Sequence, residues 1–233
     1  MAVSFLKKGA DAQEILKKEK LKADLREKEH GAFRFWLPSG GETQITFVDG
    51  ELDANGLLDV PVFYEHNLKL NGKWGNLFTC TGDVEPCPIC ESGDNPACVA
   101  IMTIIDHSTY VSKKDGKEYS DTVKLFVMKQ GTRKILQRLA TKRGGLAGAT
   151  FDVSRQEGDK VPAVGDLFDF SAKLDRDQLV EKWGKKAEPL NYEEEVVYTK
   201  AEDMRNLLGM STSPANAIST ATDASIPDFN KDL

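Results

Sequence analysis

The chain has no long hydrophobic run. Its longest apolar stretch, Val99 to Ile105, is far short of the roughly 20 residues that span a bilayer. The first residues from Met1 pass straight into Lys7-Lys8 without an apolar leader region. These absences lead us to expect a soluble, cytoplasmic protein without a membrane partner. Catalytic and phosphate-binding motifs are missing as well: there is no Walker loop, GxSxG, HExxH or GxGxxG. The glycine-rich stretch Gly144-Gly145-Leu146-Ala147-Gly148 follows a helical pattern and lacks a Lys-Ser/Thr pair, so it reads as a helix stop and loop. An enzyme is therefore not expected. Positive charge is not in excess either. Thirty-one Lys and Arg face 37 Asp and Glu, a net charge of -6. That total does not exclude a polyanionic ligand, because only the field along a groove acts on it.

What is present suits one domain of ordinary size with tails. The chain has 233 residues, 40% of them hydrophobic. Residues 1–30 read as a basic helical arm with Ile15, Leu16, Leu21 and Leu25 along one stripe. Residues 31–182 read as mainly β. Strands are expected over 42–48, 60–64, 99–105, 122–128, 150–155 and 167–174, with Phe33 to Leu37 leading into a Pro-Ser-Gly-Gly turn. Asp115-Gly116 supplies a hairpin turn. A helix over 131–142, with Ile135, Leu136 and Leu139 on its apolar side, interrupts the strands. Short strands with an inserted helix suggest a small barrel. Residues 183–209 are acidic around Glu193-Glu194-Glu195 and end in a short helix over 201–208; residues 210–233 are too polar to offset their ordering entropy and are expected to be disordered.

All four cysteines, Cys80, Cys87, Cys90 and Cys98, fall in one short window. In a reducing compartment such clustering favours a metal over disulfides. Cys87-Pro88-Ile89-Cys90 lets two thiolates reach one ion from a single tight turn. A redox CxxC should open a helix after a strand, whereas Glu91 to Pro96 has loop chemistry. Zinc wants four soft or borderline ligands in a tetrahedron. Cys80, Cys87 and Cys90 supply three, and the fourth is either His66 or Cys98. Saturation by protein groups leaves no water to activate, so one structural zinc is expected. A zinc deaminase would also need His-x-Glu, and His66 is followed by Asn67-Leu68. His30 and His107 lie outside this cluster and read as surface residues.

His66, Asn71-Gly72-Lys73-Trp74, Thr79-Cys80 and Cys87-Pro88-Ile89-Cys90, in that order, resemble the single-stranded DNA-binding proteins of T-even bacteriophages. The resemblance covers residues 63–90 at the level of motif, and the whole chain at the level of architecture. It implies an OB-fold barrel with a zinc subdomain over about 63–98, with His66 as the fourth ligand and Cys98 a spare. It also implies a cleft for single strands, self-association along DNA through the basic arm, and a C-terminal tail that recruits replication or recombination proteins in an infected host cell. The chain departs from the family in lacking a compact Lys-Arg-Lys-Ser-Thr type of motif, for which Lys7-Lys8 is the nearest substitute, and in a shorter spacing from Cys80 to Cys87.

The residue chemistry points the same way. Sequence-independent binding of single strands needs cations for phosphates and aromatic faces for bases. Lys69, Lys73 and Trp74 lie together. Tyr110 and Tyr119 sit among Lys113, Lys114, Lys117, Lys124, Lys129, Arg133, Lys134 and Arg138. Phe126 reads more readily as core, and Phe33, Phe35 and Trp36 are compatible with core on alternate positions. In the tail, Asp223, Asp228, Phe229 and Asp232 form the partner-binding candidate, and its acids are expected to visit the basic groove when DNA is absent. The competing expectation is a zinc-ribbon interaction protein that docks on replication enzymes and touches DNA weakly.

Overall fold

The computed structural model describes residues 9–10, 12–17, 32–70, 72–111, 116–158, 160–196 and 198–209. The described part of the N-terminal region is helical over 12–17, with Ile15 and Leu16 exposed. The rest of that arm and the tail from residue 210 lie outside the described residues. Leu21, Leu25 and His30 go with the arm, and Asp223, Asp228, Phe229 and Asp232 go with the tail.

The protein is mainly antiparallel β sheet with few helices. Strands β1 (Glu42–Phe47), β2 (Val62–Leu70), β3 (Lys73–Thr79), β4 (Ala97–Asp106), β7 (Thr122–Lys129), β8 (Ala149–Ser154) and β9 (Leu167–Lys173) form one sheet. The short β5 (Tyr110–Val111) and β6 (Glu118–Tyr119) form a separate hairpin, whose turn at 112–115 is outside the described residues. β4 organises the sheet. One edge pairs with β7 along its length; the other pairs first with β2 and then with β1. β1 continues to β8, and β8 to β9.

The sheet rolls around an aromatic centre. Phe47 and Phe151 meet edge to face at 5.8 Å, as do Phe47 and Phe126 at 5.4 Å. Phe168 on β9 reaches Phe126 on β7 at 6.3 Å. Among the described residues no hydrogen-bonded pairing joins β7 to β9, so the sheet curls without a closed ladder. The helix α2 (Gln130–Arg143) caps one end, burying Thr132, Leu136 and Ala140. Its N-terminal neighbour in the chain is a single turn, α1 (Pro88–Glu91). Of the aromatic run before β1, Phe35 and Leu37 point into the core, while Phe33 and Trp36 are 76% and 61% exposed.

Residues 176–195 pack back on the sheet. α3 (Arg176–Trp183) starts with a capping box between Asp175 and Gln178 and runs into a 3-10 turn at Gly184–Ala187. α4 (Tyr192–Glu195) follows, and the Tyr192 hydroxyl donates to Asp49 in the connection after β1. The final helix is α5 (Ala201–Leu208). Among the described residues no helix is long and apolar enough to cross a membrane.

Candidate metal centre and nucleic-acid interface

The β2–β3 hairpin does most of the assembly of the cysteine site. His66 pairs across it with Phe78, and the backbone N–H of Cys80, just past β3, donates to the Tyr64 carbonyl at 2.8 Å. This sets the Cys80 thiol beside the fully buried His66 ring. A tight turn follows, in which the N–H groups of Val84 and Glu85 both donate to the Thr81 carbonyl. Cys87 is the N-cap of α1, and Pro88 occupies the first helical position, where its missing N–H costs nothing. The CxxC thus does open a helix, but one of a single turn, which stops at Ser92 and Gly93.

Together His66, Cys80, Cys87 and Cys90 present one ligand atom each, all within 4.8 Å of one another. The Cys80 and Cys90 Sγ atoms are 3.6 Å apart. His66 Nε2 lies 3.5 Å from the Sγ of Cys87 and 3.5 Å from that of Cys90. A tetrahedral ion bonded at about 2.3 Å to sulfur and about 2.0 Å to nitrogen has edges of about 3.8 Å between sulfurs and about 3.5 Å from sulfur to nitrogen. The four residues therefore fit a tetrahedral metal ion. Cys98 stands apart, exposed on β4 opposite Tyr64.

Two features prepare the site electrostatically. Burial alone would raise the Cys87 thiol, but the backbone N–H groups of Cys90, Thr81 and Ile89 outweigh it and hold the thiol at about 6. Cys90 is pushed the other way, to about 12, by burial and by the neighbouring Cys80 and Cys87 sulfurs. A cation would relieve this crowding of negative charge, since a coordinated thiol is deprotonated outright. The second feature is Asp94, whose Oδ2 lies 2.6 Å from His66 Nδ1. Nδ1–H donating to this carboxylate leaves the Nε2 lone pair facing the thiols. Sequence reasoning missed Asp94, because an acid in the loop after Cys90 carries no spacing signal.

The basic candidates divide into three groups. Lys129, Arg133, Lys134 and Arg138 lie at the end of β7 and along α2; all but the half-buried Arg133 are exposed. Among the described residues no salt bridge engages any of the four. α2 has no acid in its first turn and no side-chain cap, so its positive end is left uncompensated there. Beside it is a cleft of about 360 Å³ lined by Val62, Ala97, Cys98, Val99, Ala100, Met128, Lys129, Gln130 and Arg133. The register opposes Tyr64 to Cys98 and Val62 to Ala100, so these residues share one side of the sheet with His66. Val62 and Tyr64 are 51% and 46% exposed. This exposed strip lies between the first turn of α2 and the metal cluster. Tyr64 was not anticipated as a binding residue; an aromatic in a strand of unknown register gives no sign of which way it faces.

The second group is the β5–β6 hairpin. Tyr110 and Tyr119 face each other across it and stack at 5.5 Å, both exposed, and Lys117 is exposed beside them. Lys113 and Lys114 lie outside the described residues. The third group is on the β2–β3 hairpin, where Lys69 and Trp74 are exposed; the Lys73 side chain is outside what is described.

Lys124, a further basic candidate, is paired within the fold. Its Nζ lies 2.5 Å from the buried Asp106 carboxylate, whose pKa is set by burial, which raises it, and by the stronger lowering effect of Lys124 and the Ser108 N–H. Lys124 thus neutralises that buried charge within the fold. Phe126 is fully buried in the core. His107 is not a plain surface residue. Nδ1 lies 2.5 Å from Asp121 Oδ1, Nε2 lies 2.8 Å from Thr46 Oγ1, and the ring stacks on Trp183 at 5.4 Å.

Fold and site together define an antiparallel β protein that carries a His–Cys₃ cluster able to hold a metal ion, next to an apolar cleft rimmed by basic residues. No protein-family model matches the chain, and no curated protein sequence matches it.

Proposed function

We propose that this chain binds single-stranded DNA without sequence preference, as a zinc-containing OB-fold protein similar to those that coat replicating phage DNA. The observation that carries this reading is the cleft between α2 and the metal cluster. It has an apolar floor with exposed Val62 and Cys98, an exposed Tyr64 beside it, and Lys129 and Arg133 at its rim, and among the described residues no carboxylate lines it. An aromatic and apolar floor suits bases of any identity, and the cations suit phosphates.

The topology supports an OB fold. β1, β4, β7, β8 and β9, taken as five core strands, pair in the order 3-2-1-4-5, with α2 between the third and fourth. That is the connectivity of a partly open five-stranded barrel whose second and third strands face the nucleic acid. The cleft is lined from β4 and β7, the second and third. The metal cluster lies in the connection between the first and second. Three thiolates and an imidazole favour zinc over hard cations, and with four protein ligands it serves structure rather than catalysis. When bound, the ion cross-links β2, the turn after β3 and α1.

The test is fluorescence anisotropy of a labelled oligo-dT against the matched duplex over a salt series, with zinc measured on the same sample. We expect strong preference for the single strand, about one zinc per chain, and a loss of roughly 0.7 log unit of affinity per log unit of salt for each phosphate neutralised. Arg133→Ala should lower that slope by about one phosphate. Equal binding of single strand and duplex would overturn the reading. It would favour instead a zinc-ribbon protein that docks on replication enzymes, for which the exposed Phe33 and Trp36 offer an apolar contact.

A further inference from the structure

α5 begins more than 100 residues after the last of the four clustered ligands, yet its contacts converge on the ligand-bearing turn. Met204, fully buried, forms one apolar cluster with Cys87 and Ile89, and Leu208 packs against the same cluster with Leu68, Phe78 and Cys80. Two candidate metal ligands, Cys80 and Cys87, therefore share their apolar surroundings with a helix from the far end of the chain. Polar contacts fasten the start and the middle of that helix to the same segment. Glu85 Oε1 accepts the Ala201 N–H at 2.8 Å and the Tyr198 hydroxyl at 2.6 Å, which closes the helix start. One turn further on, Arg205 pairs with Glu91 at 2.9 Å.

The surface that α5 rests on has little structure of its own. Residues 80–96 contain a single helical turn, and they supply three of the four clustered side chains, Cys80, Cys87 and Cys90. Small metal-centred turns of this kind draw their folding energy from the ion.

We infer that metal binding and docking of α5 are one coupled equilibrium: the ion sets the turn that receives Met204, and loss of the ion releases α5. This rests on the metal reading given above. Coupling is reciprocal, so undocking the helix must weaken the metal by the same factor.

The test uses the full chain loaded with zinc. Zinc affinity is measured by equilibrium competition with a chromophoric chelator for the wild type, Met204→Asp, Arg205→Glu and the charge swap Glu91→Arg/Arg205→Glu. In parallel, limited proteolysis with mass mapping measures cleavage within residues 198–209, with and without EDTA, using cleavage within α2 as the control for global unfolding. We expect EDTA to speed cleavage in 198–209 by about tenfold while α2 stays protected, and Met204→Asp to weaken zinc affinity by about tenfold. Arg205→Glu, a surface change that leaves the core intact, should show a smaller effect in the same direction, and the swap should reverse it. Equal cleavage with and without zinc would overturn the inference. So would a Met204→Asp or Arg205→Glu chain that is cleaved rapidly in α5 yet binds zinc with wild-type affinity. A wild-type chain that retains no zinc would instead overturn the metal reading, and this inference with it.

Discussion

Asp94 and Asp49 look alike in the sequence, and the fold gives them opposite roles. Asp94 sits in a loop and accepts the His66 N–H, which turns the ring toward three thiols. Asp49 accepts the Thr103 N–H and the Tyr192 hydroxyl in a shielded position after β1. Burial raises its carboxyl from 3.8 to about 6, although the Tyr192 and Thr103 hydrogen bonds pull it back. Tyr192 in turn is pushed up, first by burial and then by the Asp49 charge. Since the folded value lies above the unfolded one, the folded chain takes up a proton between about pH 4 and pH 6. The stability from this group is therefore full below about pH 4 and lost as pH rises through 6. Asp49→Asn keeps the shape and removes the titration. In urea unfolding, the stability of the variant relative to wild type should rise by up to about 3 kcal/mol between pH 4 and pH 7. Taking the difference cancels the pH dependence of the cysteine site, which both proteins share. A difference that stays flat across this window would show that Asp49 is solvated enough to ionise normally.

Among the elements, the connection from α2 to β8 is the tightest. Gly148 has φ +77°, and a Cβ there would lie 1.9 Å from the Leu174 carbonyl oxygen. Its own carbonyl accepts the Leu174 N–H and its N–H donates to Phe47, so β1, β8 and the end of β9 meet at this residue. Gly131, inside the first turn of α2, has open space around its Cβ position and no positive φ. Gly148→Ala should cost at least about 2 kcal/mol, from strain and from backbone overlap. Gly131→Ala should gain about 0.5 kcal/mol by reducing the freedom of the unfolded chain. Thermal melts of the two variants check both signs. Most elements were legible before the structure. The strands expected over 42–48, 122–128, 150–155 and 167–174 form as β1, β7, β8 and β9, and the helix expected over 131–142 forms as α2, because their apolar spacing matches the faces they bury. β3 and α3 were not anticipated. Lys73–Thr79 mixes polar and apolar residues because one face lies on the metal cluster and the other on solvent. α3 is short and buries only Leu179, so its apolar signal is weak.

For the molecule as a whole, the arrangement of charge matters more than its sum of -6. Lys129 of β7 and Arg133 of α2 line the cleft, whereas acids collect in residues 183–233. If the cleft takes single strands as proposed, the acidic segment competes with them for the same field. Deleting residues 211–233 should then tighten oligo-dT binding, most at low salt, where screening is weakest. Equal affinities across a salt titration of the two chains would show that the segment does not reach the cleft.

The sequence by itself determined the β-rich class, the positions of most strands, the long helix and the cysteine window, because periodicity and ligand spacing are local properties. It left the choice between His66 and Cys98 open on spacing alone. Only the tertiary structure decided that His66 joins the cluster, that Asp94 orients it, that Lys124 is paired with Asp106, and that Tyr64 faces outward beside a cleft. Each of these depends on strand register and on contacts between residues distant in the chain, and register is fixed only when the whole sheet closes on its core.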